Sequence, residues 1–167
     1  MQTKPGMVSL LAVLVLGLVV TALIVSCGGR GKGSREDSAD AAKPDSLEGR
    51  VKLNEGGYAM REPIVMTLEV TNVTGRTVHL TFPSAQRYDF IVKKGKETIW
   101  QWSGDRMFAQ VLGRYDLAAG DTVTYEYTWD QTKADGTKPG LGAYTLEGIL
   151  MISPPLKTPA RTFGIVD

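Results

Sequence analysis

The segment SAQRYDF (Ser84–Phe90), followed shortly by IWQWS (Ile99–Ser103), gathers Tyr88, Phe90, Trp100 and Trp102 into one short stretch. In extended chain alternate side chains share a face, so Tyr88, Phe90 and Val92 line one face of a strand. Thr98, Trp100 and Trp102 line one face of the next. A three-residue loop of Lys94, Gly95 and Lys96 pairs Phe90 with Trp100 and Tyr88 with Trp102. Changing the loop by one residue sends the two rows to opposite faces, because a one-residue slip reverses every side chain. The apolar pattern favours the three-residue loop. Aromatic pairs stacked on one face read as core, with Trp102, at the strand end, reaching the surface.

The same period of two recurs along the chain. Ile64, Met66, Leu68 and Val70 alternate with Val65, Thr67, Glu69 and Thr71. Val78, Leu80 and Phe82 repeat the pattern, as do Val123, Tyr125, Tyr127 and Trp129, and then Tyr144, Leu146, Gly148, Leu150 and Ile152. Turn signals separate these runs at Asn72 to Gly75, Lys93 to Lys96, Ser103 to Asp105, Ala119 to Asp121 and in QTKADGTKPG. No sustained helical period and no internal repeat interrupts them. The expected fold is all-β: an immunoglobulin-like antiparallel β-sandwich of about 7–9 strands spanning 47–167.

The N-terminal part has a different character. Met7 to Ser26 carries no charge, and only Lys4 precedes it. The run leads into Ile24-Val25-Ser26-Cys27-Gly28-Gly29, where Cys27 is the one cysteine of the chain. This pattern resembles the lipobox of bacterial lipoprotein precursors. The resemblance implies a signal peptide over 1–26, cleavage before Cys27, and acyl chains including palmitate attached at Cys27, enough to hold a protein on a bilayer. An uncleaved transmembrane helix is the alternative, although Arg30, Lys32 and Arg35 on its far side argue against an N-inside orientation. Residues 27–46 are rich in Gly, Ser, Ala and charge and lack large apolar side chains. They read as a disordered tether of about 20–25 Å reach. The location expected from this pattern is the cell membrane, lipid-anchored on its extracytoplasmic face.

Chemistry-bearing residues are sparse. His79 is the single histidine and falls on the opposite face from Val78 and Leu80, a solvent-facing position. With Cys27 assigned to lipid, no thiol remains. A Ser-His-Asp arrangement would need His79 as base, and no G-x-S-x-G stretch accompanies it. The carboxylates show no calcium-loop spacing and no zinc-type cluster, so neither metal nor cofactor is expected. Gly140-Leu141-Gly142 does not join a strand to a helix, which argues against phosphate binding. The formal charge of +1 argues against nucleic acid. The sequence is read as that of a non-enzyme.

One ordered set of residues resembles a known family. Ser84, Gln86 and Tyr88-Asp89-Phe90 are followed by IWQWS, by Met107-Phe108, and by Leu117, Gly120 and Asp121. Tyr127 to Asp130 and Gly142, Tyr144, Thr145 and Leu146 complete the series. This order is similar to that of the intracellular proteinase inhibitor family known as BsuPI, over Pro63 to Ile152. The resemblance implies an immunoglobulin-like sandwich and inhibition of a bacterial serine proteinase. It carries no reactive-site residue onto this numbering.

Two functions follow as expectations. The first is a membrane-anchored binding module that offers a loop to a protein partner, with a serine proteinase as first choice; the alternative is a structural or assembly lipoprotein of the envelope. The contacts expected for the first are Arg106, Met107 and Phe108, with Trp102 at the root of their loop, because basic and large apolar side chains suit the primary pockets of serine proteinases. The loop Gln131 to Leu141, carrying Lys133, Lys138 and Pro139, is the other contact surface.

Overall fold

In β3 (Ile64–Asn72) every second side chain, from Ile64 through Met66, Leu68 and Val70 to Asn72, is buried, as the alternating sequence predicts. The protein is described by a computed structural model over residues 46–167. The signal segment, the tether up to residue 45 and Cys27 lie outside the described residues. Around β3, β1 (Leu47–Leu53) pairs on one side and β8 (Thr122–Trp129) on the other, both antiparallel.

The second sheet runs β2 (Gly57–Ala59), β11 (Arg161–Val166), β9 (Gly142–Leu150), β5 (Tyr88–Lys94) and β6 (Glu97–Gln101). A short β10 (Leu156–Lys157) also pairs with β9. Every pairing here is antiparallel except β2 with β11. A two-stranded ribbon of β4 (Val78–Phe82) and β7 (Gly113–Leu117) completes the fold. With β1, β3 and β8 as strands A, B and E, and β6, β5, β9 and β11 as C′, C, F and G, this is the immunoglobulin-like sandwich the sequence predicts. Two very short strands, β2 and β10, account for the excess over the expected number.

The sheets meet face to face at Gly148 of β9. A Cβ there would stand 2.5 Å from Val51 Cγ1 and 3.1 Å from Leu68 Cδ1, so only glycine lets the sheets approach this closely. Tyr144, near the start of the same strand, is buried and donates its hydroxyl to the Gly140 carbonyl. That is the tyrosine corner of immunoglobulin-like domains. At the other end, buried Asn72 donates its side-chain amide to the carbonyls of Arg76, Leu117 and Ala118. It fixes the β3–β4 and β7–β8 turns to each other.

The β5–β6 register differs from expectation. The loop is Gly95-Lys96 alone, with Lys94 opposite Glu97 and Gly95 at a φ of 60°. A residue fewer in the loop should throw the two aromatic rows onto opposite faces. A bulge restores them: Thr98 pairs with Lys93 and Trp100 with Val92, leaving Ile99 as an extra residue. Trp100 thus faces Val92, and the Trp102 N–H donates to the Phe90 carbonyl. The rows share a face, displaced by two residues from the expected pairing.

Candidate functional site

β6 and β8 are the outer strands of their two sheets among the described residues, so the sandwich is open between them. Aromatic side chains close that side. Trp100 stacks at 5.5 Å on both Trp129 and Tyr127. Trp102 meets Tyr127 edge-on and stacks on Tyr88 at 4.3 Å, and Tyr88 stacks in turn on Tyr125 at 4.8 Å. The stretch read as core is therefore core at one end and seam at the other. Phe90 and Trp129 are buried, whereas Trp100, Trp102, Tyr88, Tyr125 and Tyr127 are only half-buried. Trp100 departs from the expected burial because its strand is an edge. Burial in the seam pushes the Tyr88 and Tyr125 phenols above their ordinary value of 10.0.

Below the seam, Asp89 roots the chain that leaves β6. Its carboxylate is buried. Oδ1 accepts from the Phe90 and Ser103 amides at 2.9 and 3.1 Å, and Oδ2 from Gln101 Nε2 and Ser103 Oγ, each at 2.6 Å. Four donors around one carboxylate fix Ser103, where the loop begins. The Gly104 and Arg106 amides then donate to the Gln101 and Ser103 carbonyls, forming a turn. Beyond it the chain runs without regular structure to β7, tied at Ala109, whose carbonyl accepts the Ala85 N–H.

The turn aims three side chains. The Arg106 guanidinium lies over the Trp102 ring at 4.6 Å and near Tyr127 at 5.6 Å, while its Nε donates to the Trp102 carbonyl at 2.8 Å. Phe108 packs against the same Trp102, with 5.6 Å between ring centroids. Met107, between them, is 99% exposed. Trp102 is thus the platform on which the loop rests. Its indole N–H is buried and has no acceptor among the described residues.

The second expected loop is built differently. Gln131 is buried, with a φ of 58°, and its side chain bonds Ala59, Arg61 and Glu62. Pro139 is buried. Lys133 and Lys138 turn back onto Asp135 and Asp130. The Thr137 hydroxyl and amide hold the Asp135 carboxyl at about 2. Between this loop and β6 lies a cleft of about 480 Å3, lined by Trp100, Gln101, Tyr127, Asp105, Asp130 and Lys133. His79 is exposed on β4, 2.7 Å from Asp116 of β7, in the solvent-facing position expected of it.

Sequence reasoning missed Asp89, Asn72 and Gln131 as organisers. Asp89 alternates with Tyr88 and Phe90, a phase that reads as solvent-facing. A carboxylate among the apolar residues Tyr88, Phe90, Ile91 and Val92 was the signal available.

Among the described residues the protein is a sandwich of the immunoglobulin-like class, with one loop braced against Trp102 and one side chain, Met107, thrown outward. A model of the BsuPI family, described as intracellular proteinase inhibitor, matches residues 51–154. The chain belongs to that family. No match is found among curated proteins.

Among solved structures, the chain is similar to a sporulation control protein, Spo0M of Bacillus subtilis. The identity is 12%, over 73% of this chain and 50% of that one, with a TM-score of 0.45. The CARDB domain of the PF1109 protein from Pyrococcus furiosus, in complex with di-metal ions, gives 12% identity, 72% and 92% coverage, and a TM-score of 0.40. The b-glucosidase EmGH1 from Erythrobacter marinus gives 11%, 72%, 15% and 0.43. The chain spans half of Spo0M and a small part of the glucosidase, and these likenesses carry no activity over to it.

The family's description corrects one expectation. The lipobox pattern places the domain on the extracytoplasmic face of the cell membrane, whereas the family is one of intracellular inhibitors.

Proposed function

We propose that this chain is a non-catalytic inhibitor of a serine proteinase, and that the loop from Ser103 to Leu112, which ends where β7 begins, is the segment it inserts into the enzyme. The observation that carries the reading is the family match over 51–154, which contains this loop whole. The loop's construction supports it. Inhibitors of this kind bind tightly when the inserted segment is already held in its bound shape, since little freedom is then lost. Here Asp89 fixes the root, and Arg106 and Phe108 both brace the loop against Trp102. The full chain is titrated against subtilisin, chymotrypsin and trypsin with peptide substrates. Slowing of at least one enzyme at micromolar chain is expected; activity of all three unchanged at that concentration removes the reading for these enzymes.

Lipid attachment at Cys27 is a separate proposal that rests on the sequence pattern alone. Labelling with a palmitate analogue checks it, and label retained after Cys27→Ser rules that residue out.

A further inference from the structure

The inhibitor reading leaves open which side chain enters the enzyme. Residue type alone favours Arg106 or Phe108, since each suits a familiar primary pocket. Their geometry speaks against both. The Arg106 guanidinium is spent on the Trp102 and Tyr127 rings, and its Nε on the Trp102 carbonyl. Filling a deep pocket would mean giving up those contacts and pulling out one of the loop's two braces. Phe108 is half-buried against Trp102 and would uncover that ring on leaving. In an extended segment successive side chains point to opposite sides, so the two residues flanking Met107 turn inward together and Met107 alone turns out. Its exposure of 99% leaves the thioether without packing against the described residues.

From this alternation we infer that Met107 is the specificity-determining residue, and that the partner is a proteinase whose primary pocket is apolar, open to a long unbranched side chain. The inference rests on the inhibitor reading. An unbranched thioether adapts to pockets of uneven shape. Met107 is followed by further exposed apolar residues, Val111 and Leu112, which suit an extended apolar groove beside the pocket. Arg106 and Phe108 are positioning residues: they hold the backbone of Met107 without entering the enzyme.

A change of specificity tests this more sharply than a loss of binding. Met107 packs against none of the described residues, so substitutions there leave the fold intact. The full chain and its Met107→Ala, Met107→Lys and Arg106→Ala variants are titrated against subtilisin, chymotrypsin and trypsin. The wild type is expected to slow an enzyme with an apolar pocket and to leave trypsin untouched. Met107→Ala should weaken that inhibition about 30-fold or more, as loss of a central anchoring side chain does. Met107→Lys should create inhibition of trypsin. Arg106→Ala should weaken every inhibited enzyme alike, without changing their order. Inhibition that ignores both Met107 changes, or trypsin inhibition by the wild type that Arg106→Ala abolishes, overturns the assignment while the inhibitor reading stands. A wild type that slows none of the three overturns both.

Discussion

Ser103 Oγ donates to Asp89 Oδ2 across 2.6 Å, and the Ser103 amide donates to the other oxygen of the same carboxylate. One buried side chain thus sets both where the β6 strand ends and the direction in which the loop departs.

Asp89→Ala should therefore leave several buried donors without acceptors and cost at least about 2 kcal/mol. Asp89→Asn, which presents an amide to some of the same donors, should fall between the wild type and alanine. Urea unfolding measures both. A loss under about 0.5 kcal/mol for alanine would show that water replaces the carboxylate and that it does not root the loop.

Gly148→Ala should be destabilising by about 1–3 kcal/mol, because the new methyl group meets Val51 at 2.5 Å in a packed interior. Val51→Ala makes room. The double variant should recover part of the combined loss, giving a favourable coupling in a mutant cycle. Additive losses would place the strain elsewhere.

Trp129→Ala and Trp100→Ala separate core from seam. Trp129 is buried, and its indole N–H donates to the Thr132 carbonyl, so its loss should cost about 3–5 kcal/mol. Trp100 keeps part of its surface in water and should cost less, about 2 kcal/mol, since less area leaves solvent when it packs. Equal losses would mean that the seam is as dry as the core.

Asp135 offers a pH test. Its folded value of about 2 lies below the ordinary 3.8, so the charged form is favoured in the folded protein. The associated stabilisation is fully present above pH 3.8 and is lost as pH falls toward 2. Carbon-13 titration of the carboxyl should give a midpoint near 2. Thr137→Val, which deletes the largest of the hydrogen-bond contributions, should move it upward.

The strands were legible because burial alternates along them; β3 shows in its letters what it does in space. The register of β5 on β6 was not. No glycine or asparagine marks the bulge at Ile99, and the loop is shortened by the way Lys94 pairs with Glu97. The half-burial of Trp100 depends on β6 being the last strand of its sheet, a property of topology and not of local pattern. Asp89 was hidden for a related reason. Period two sends it to solvent, but Gln101 and Ser103 close over it from the neighbouring strand and loop. For the loop, the residue types at Arg106, Met107 and Phe108 were legible, while their division into braces and projecting tip required the position of Trp102.

The full exposure of Met107 also has a redox consequence. Oxidants reach a thioether in open water readily and convert it to the sulfoxide, a polar and chiral group. Met66 of the same chain is buried and shielded from that chemistry. Mild peroxide should therefore modify Met107 ahead of the core methionine without unfolding the domain. A loop tip that an apolar pocket accepts would become one that it rejects, and methionine sulfoxide reductase would restore it.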